Sequence, residues 1–366
     1  MELVKRNVNG TEILIDTHSS STFLIAKNQS TNFMPTLLTK TSDVLKAFSQ
    51  GVDYIPLHCR LEITSLCNLN CEFCYIHNHT VSQNLSFYRI KPYLDYLISQ
   101  GLLFVVISGG ECTLNPEFPL FYSYLKKQGV FVEVYTNAVA LSSNILKLFN
   151  EYRPYKIEVS LYNDDTNSAV YHNLRLMQAN GLNVVAKCTV NRATYAYFYK
   201  IQKWCSENNC PFYFSTDVFD AYDGTDMSRF ELTAEEKAEI YHDSLNHSNV
   251  HFQSEGKTCF ECAAGLYSFT INSNYEIQPC SKVGWKINLL NHYPDSALSR
   301  LKEYIFAFKG IKISGCYNCR AEKFCKMCFA RATVNEGTHS ICVNEEYCRK
   351  VLPFFDTLIQ NSQYDI

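Results

Sequence analysis

The chain has 366 residues, of which 46% are hydrophobic and only 19% charged, ample for a large core and long enough for more than one domain. A formal net charge of -3 gives no electrostatic footprint for nucleic acid or an anionic membrane, and the most apolar run, Leu102 to Ile107, is far too short to span a bilayer. The opening MELVKRNVNG lacks the apolar stretch of a signal peptide, so a cytoplasmic protein is expected, and in a reducing compartment its 17 cysteines point to metal rather than to disulfides.

Residues 1–57 read as a few strands and a short helix with no evident role. From His58 onward, short apolar runs alternate with amphipathic ones. Strands are expected at His58–Thr64, Leu103–Ser108, Val130–Tyr135, Lys156–Leu161, Asn183–Val190 and Phe212–Ser215. Helices are expected between them: around Ile90, Leu94, Leu97 and Ile98, over Phe118–Gln128, from a Ser142 or Ser143 cap to Phe149, over Thr166–Asn180 and over Thr194–Glu207. This makes roughly six β/α repeats and predicts an α/β fold with a parallel sheet, curved or open, across residues 58–250. Thr233 and Glu236 form a capping box for one more helix, to about Leu245. Over 251–352 cysteines come every few residues with little periodicity, which reads as a separate metal-stapled domain, and 353–366 reads as a tail.

Cys67, Cys71 and Cys74 form C-x-x-x-C-x-x-C just after the first strand of the series. Three thiolates on one loop can hold three irons of a cubane cluster and leave the fourth open, as a catalytic metal site needs. The same spacing also suits a zinc site completed by His77 or His79. The surrounding ITSLCNLNCEFCY, with Tyr75 directly after the third cysteine, resembles the signature of radical S-adenosylmethionine (SAM) enzymes. SGGECTLNPEF, at the end of the next strand, resembles that family's Gly-Gly-Glu motif. The resemblance implies a partial (β/α)6 barrel, a 4Fe–4S cluster on Cys67, Cys71 and Cys74, and SAM as cofactor. It further implies that Tyr75, Gly109, Gly110 and Glu111 bind SAM, with Glu111 taking its ammonium group. YTNA at 135–138 resembles a later strand end of the family, with Thr136 and Asn137 in place and Ala138 where glycine is usual. VSLYN at 159–163 resembles the family strand whose serine contacts the SAM ribose, here Ser160, and the resemblance implies that Lys187, in AKCTVN, faces the site near the methionyl carboxylate. The chemistry so implied is reductive cleavage of SAM to a 5′-deoxyadenosyl radical that takes a hydrogen atom from substrate.

Further on stand Cys259, Cys262 and Cys280, then Cys316, Cys319, Cys325 and Cys328, then Cys342 and Cys348. Alone, the middle run equally suits a zinc ribbon. The order resembles a SPASM domain, an auxiliary-cluster extension of radical SAM enzymes that modify peptides and proteins. That resemblance implies two auxiliary 4Fe–4S clusters, one on Cys259, Cys262, Cys280 and Cys328, the other on Cys316, Cys319, Cys325 and Cys348. Two departures are that only Lys326 and Met327 separate Cys325 from Cys328, and that Tyr275 stands where the family usually has glycine. Cys342 is the alternative last ligand. The remaining Cys59, Cys112, Cys188, Cys205 and Cys210 read mostly as small buried hydrophobes.

A radical SAM maturase of a ribosomally made precursor peptide is expected, forming a crosslink, a thioether or an epimer, with flavodoxin or ferredoxin as electron donor. The alternatives are an enzyme of the anaerobic sulfatase-maturing type and a non-catalytic iron–sulfur or zinc protein. For the substrate step the candidates are Cys112, next to Glu111, and the acidic segment holding Asp217, Asp220 and Asp223.

Overall fold

The structure is a computed structural model that describes residues 3–8, 11–18, 22–25, 36–37, 56–76, 83–247, 264–265, 267–308, 319, 321, 328, 330, 333–335, 340–342 and 345–361. His77, His79, Cys259, Cys262, Cys316 and Cys325 lie outside these residues, as does the side chain of Cys342.

The first four strands, β1 (Leu3–Val8), β2 (Thr11–Asp16), β3 (Thr22–Ile25) and β4 (Thr36–Leu37), form an antiparallel sheet in that order. Then come β5 (His58–Glu62), α1 (Phe87–Ser99), β6 (Phe104–Ser108), α2 (Phe118–Lys127), β7 (Phe131–Thr136), α3 (Ser143–Glu151), β8 (Lys156–Ser160), α4 (Ala169–Ala179), β9 (Val184–Thr189), α5 (Phe198–Glu207), β10 (Phe212–Ser215) and α6 (Ala234–His247). These are the expected six β/α repeats, all pairing in parallel. Both expected caps form: Ser142 Oγ accepts from Ile145 N at 3.2 Å, and Thr233 and Glu236 exchange main-chain to side-chain bonds of 2.7 and 3.2 Å.

Sequence pattern explains how the sheet is used. β6, FVVIS, is buried along its whole length and packs apolar side chains on both faces. Its neighbours instead place polar groups at every second residue: Arg60 and Glu62 in β5, Glu133 and Tyr135 in β7, Lys156 and Glu158 in β8, Lys187 in β9. Period-two alternation aims these at one side, where Lys156 pairs with Glu133 at 2.8 Å and Lys187 with Glu158 at 3.4 Å. Side chains from all six strands line one cavity, so the sheet curls around it.

The N-terminal strands acquire a role in the structure. Val8, Ile13 and Ile15 pack with Leu57, Leu103, Phe104 and Phe131 against the start of β6 and β7. Buried Arg6 donates to the carbonyls of Ile98 and Leu102 at 3.0 and 2.8 Å, satisfying groups at the end of α1.

After residue 263 come β11 (Ser268–Ile271), β12 (Glu276–Gln278), β13 (Ile287–Asn288), α7 (Pro294–Phe308), β14 (Thr333–Asn335), β15 (Ser340–Cys342) and α8 (Glu345–Asn361). β11 pairs in parallel with β5, and β12 and β13 follow antiparallel, so one nine-stranded sheet runs through the boundary expected near residue 250. At this seam His58 Nδ1 meets Ser268 Oγ at 3.1 Å. The segment expected as a tail from 353 is the second half of α8, whose Phe354 packs on Tyr241 of α6.

Candidate active site

The site begins where β5 and β6 end side by side. Beyond the strands, Ile63 N donates to Ser108 O at 3.0 Å, Gly110 N to Thr64 O at 2.8 Å and Glu111 N to Leu66 O at 2.7 Å. The segment leading to Cys67 is thereby zipped onto the Gly-Gly-Glu turn. A Cβ on Gly109, whose φ is +147°, would stand 2.3 Å from Thr64 O, and one on Gly110 would stand 2.2 Å from Leu66 O. These glycines therefore make room for the protein's own cysteine loop. Both glycines also line the cavity.

Glu111 is buried and does not line the cavity. Its Oε1 accepts from Thr113 N at 3.1 Å, Thr113 Oγ1 at 2.7 Å and Thr136 Oγ1 at 2.8 Å, and its Oε2 from Asn137 N at 2.7 Å. The carboxylate thus organises the next strand end rather than standing open at the cavity. Asn137 in turn donates from Nδ2 to Asn68 Oδ1 at 2.7 Å and to Cys67 Sγ at 3.7 Å. The four motif positions Cys67, Glu111, Thr136 and Asn137 form one hydrogen-bonded unit. Ala138, at the usual glycine, has φ +53°.

The expectation for Cys112 is corrected: it is fully buried, donates to Tyr135 O at 3.3 Å and does not reach the cavity. Burial, then the neighbouring Glu111, hold its thiol well above the ordinary range. Asp223 is likewise turned away, its Oδ1 accepting from Thr225 N and Oγ1 in an exposed turn. Asp217 does line the cavity and accepts from Ser215 Oγ at 3.2 Å.

Cys67, Cys71 and Cys74 line a cavity of about 310 Å³ together with Tyr75, Gly109, Gly110, Thr136, Asn137, Ser160 and Lys187, a size suited to a small-molecule ligand. Among the described residues no three His, Cys, Asp or Glu side chains converge as ligands of a single ion do; a cubane gives each thiolate its own iron and needs no such convergence. Burial pushes the Cys67 thiol up and the Cys71 thiol up to about 12. Lys187, expected at a carboxylate of the cofactor, is paired with Glu158. In the cavity wall, Ser108 Oγ and Asn191 Nδ2 are buried with no hydrogen-bond partner, as is Glu158 Oε2, whose carboxylate pairs with lysines.

Several participants carry no motif. Glu62 accepts from Tyr75 Oη and from Tyr222 Oη, each at 3.0 Å, and Tyr222 N donates to Tyr75 O at 2.8 Å, tying the cysteine loop to the loop after β10. Lys282, from the β12–β13 connection, stands 3.1 Å from the Tyr75 ring centre, and burial lowers it to about 7. The alternation in β5 was the available signal for Arg60 and Glu62; nothing local marks Tyr222 or Lys282. A second, polar cavity of about 700 Å³ adjoins the first and shares Val218, Phe219, Ser281 and Lys282 with it.

Of the later cysteines, Cys280, Cys319, Cys328 and Cys348 are partly exposed. The Cys348 thiol is raised first by burial and then by the charge of Cys319. Cys59, Cys188, Cys205 and Cys210 are buried, as small apolar groups would be. Among the described residues no helix is long and apolar enough to cross a membrane.

Comparison with known proteins places this geometry. Over 296 residues the chain is 24% identical to the antilisterial bacteriocin subtilosin biosynthesis protein AlbA of Bacillus subtilis, covering 75% of this chain and 64% of that protein. The sporulation killing factor maturation protein SkfB of the same organism is 20% identical over 249 residues, 62% of this chain and 60% of its own. The chain thus spans under two thirds of the length of these curated relatives. Among solved structures, anSMEcpe with bound AdoMet and Kp18Cys peptide shares the fold with a TM-score of 0.63 at 18% identity, over 83% of this chain and 97% of that one. Streptococcus suis SuiB bound to precursor peptide SuiA gives 0.60 at 16% identity, over 90% and 94%. Residues 61–236 match the Radical SAM superfamily and hold the cysteine loop, the Gly-Gly-Glu turn and most of the wall of the cavity between them, so this part of the chain is a radical SAM domain.

Proposed function

We propose that the chain is a radical SAM enzyme that modifies a peptide. The observation that carries the reading is the unit built around Glu111: three cysteines of one loop, zipped by main-chain bonds to the Gly109–Gly110 turn, at a cavity of about 310 Å³. Cys67, Cys71 and Cys74 would hold the 4Fe–4S cluster. Gly109, Gly110, Thr136, Asn137 and Ser160 would line the SAM site, with the unpartnered Ser108 Oγ and Asn191 Nδ2 available to the cofactor's polar groups. When bound, the two cofactors supply one-electron cleavage of SAM and removal of a hydrogen atom from the substrate. The protein's own part is to hold the loop, through Asn137 and the Glu62–Tyr75–Tyr222 contacts, and to surround the cavity with buried side chains that exclude water.

A peptide is the favoured substrate because the second cavity, about 700 Å³, shares four wall residues with the first and has room for a peptide segment. The relatives named for bacteriocin and killing-factor biosynthesis, and SuiB bound to its precursor peptide, agree with this. They favour it over the sulfatase-maturing alternative. Two auxiliary clusters on the later cysteines complete the proposal, with Cys348, in its EEYC setting, as last ligand. A flavodoxin or ferredoxin would deliver the electrons at the low potential needed.

The test is to incubate the reduced, reconstituted chain with SAM and the peptide from a short open reading frame beside its gene. The reading predicts 5′-deoxyadenosine together with a changed peptide: loss of two hydrogens for a crosslink or thioether, or uptake of one solvent deuterium for an epimerisation. 5′-Deoxyadenosine with every neighbouring peptide unchanged would overturn the peptide assignment.

A further inference from the structure

We infer that Gln278 reads the main chain of the bound peptide, its Nε2 donating a hydrogen bond to a peptide carbonyl in the larger cavity. This rests on the peptide reading above and adds a specific contact to it. β12 is short, and its pleat places Glu276 and Gln278 on the cavity side and Ile277 in the core. Glu276 is already engaged, accepting from Asn272 Nδ2 at 2.9 Å and pairing with Lys286 at 3.1 Å. Gln278 is only 3% exposed, lines the cavity, and its Nε2 has no hydrogen-bond partner. Buried donors are nearly always paired in folded proteins, so a bare one in a cavity wall marks a place where a ligand brings the acceptor.

The chemistry selects the acceptor and the ligand. An amide N–H needs an uncharged or anionic oxygen, and an extended peptide offers a carbonyl at every residue, about 3.3 Å apart, whatever its sequence. Much of the strand's own main chain is engaged, since β12 pairs with β11 on one side and, through Glu276 and Ile277, with β13 on the other. Gln278 also lies a few residues before Ser281 and Lys282, which belong to both cavities, so a peptide held by it lies close to the wall the two cavities share.

The test uses the full, anaerobically reconstituted chain and a displayed library of random twelve-residue peptides as probe. The tightest binder is carried forward by fluorescence anisotropy against wild type, Gln278→Leu and Gln278→Glu. Both variants should bind about tenfold more weakly, as expected for one lost hydrogen bond, while iron content and melting temperature stay at wild-type values. Gln278→Leu keeps the volume without the polar group and is the control against misfolding of the charged variant. Replacing one peptide bond of the probe by an ester, which weakens that carbonyl as acceptor, should cost affinity in wild type and nothing in Gln278→Leu. Equal binding by all three proteins would overturn the role of Gln278 and leave the peptide reading standing. No enriched peptide at all would overturn both.

Discussion

The two adjoining cavities share four wall residues and are built in opposite ways. The smaller is framed by main chain: strand ends continue their pairing past β5 and β6, two glycines accept the loop at distances no Cβ tolerates, and one buried carboxylate collects four donors. The larger is framed by side chains from the β11–β12 hairpin, the loop after β10 and α8, held in part by exposed ion pairs such as Lys350–Glu346. On the proposed reading, a frame of main chain would suit a cofactor that never changes, and a frame of side chains could be altered residue by residue to suit a different substrate.

That contrast can be broken by substitution. The largest effect is expected for Gly110→Ala, whose methyl group would lie 2.2 Å from Leu66 O and must displace the cysteine loop. A loss above about 3 kcal/mol is expected, with about four fewer irons bound after reconstitution. A normal melting temperature and full iron would show that the main-chain frame is not rigid. Next is Glu111→Gln, which leaves one N–H donor facing another. Urea unfolding should show a loss of about 2–3 kcal/mol, and isothermal titration should show weaker SAM binding.

The seam where β11 joins β5 supplies a pH effect. Burial, then Arg60 and Lys156, hold His58 down to about 4, so it is neutral in the folded chain while the unfolded chain takes up a proton below about 6.5. Its contribution is fully present above pH 6.5 and is lost as pH falls toward 4, by up to about 3 kcal/mol. His58→Leu should flatten this part of the stability–pH curve; an unchanged slope would remove His58 from the account. The smallest effect belongs to the side-chain frame: Glu346→Ala removes a contact whose acid is 72% exposed and should shift stability by less than about 0.5 kcal/mol.

The same contrast decides what could be read from sequence. The six repeats, both helix caps and the Cys67–Glu111–Asn137 motifs were legible because each is local: an apolar run, a capping pair, a spacing. The two departures from family glycines were also informative. Ala138 and Tyr275 both sit at positive φ, +53° and +61°, where glycine would be unstrained. Tyr275 offsets its strain with tertiary contacts, its Oη accepting from Ser86 N at 2.8 Å and its ring lying under Arg89. What sequence could not supply was assembly over distance. The parallel pairing of β11 with β5 joins residues about two hundred apart, and Glu62 gathers Tyr75 and Tyr222 from two loops. Cys112 misled because adjacency to Glu111 in sequence says nothing of which way a side chain faces after a strand end.

The central claim is that Cys67, Cys71 and Cys74 carry a cluster of their own. The most direct measurement is iron and sulfide content after anaerobic reconstitution of wild type and of the Cys67→Ala/Cys71→Ala/Cys74→Ala variant. The account predicts that the variant binds about four irons fewer per chain, the content of one cubane, and no longer cleaves SAM when reduced. Equal iron in the two proteins would contradict it.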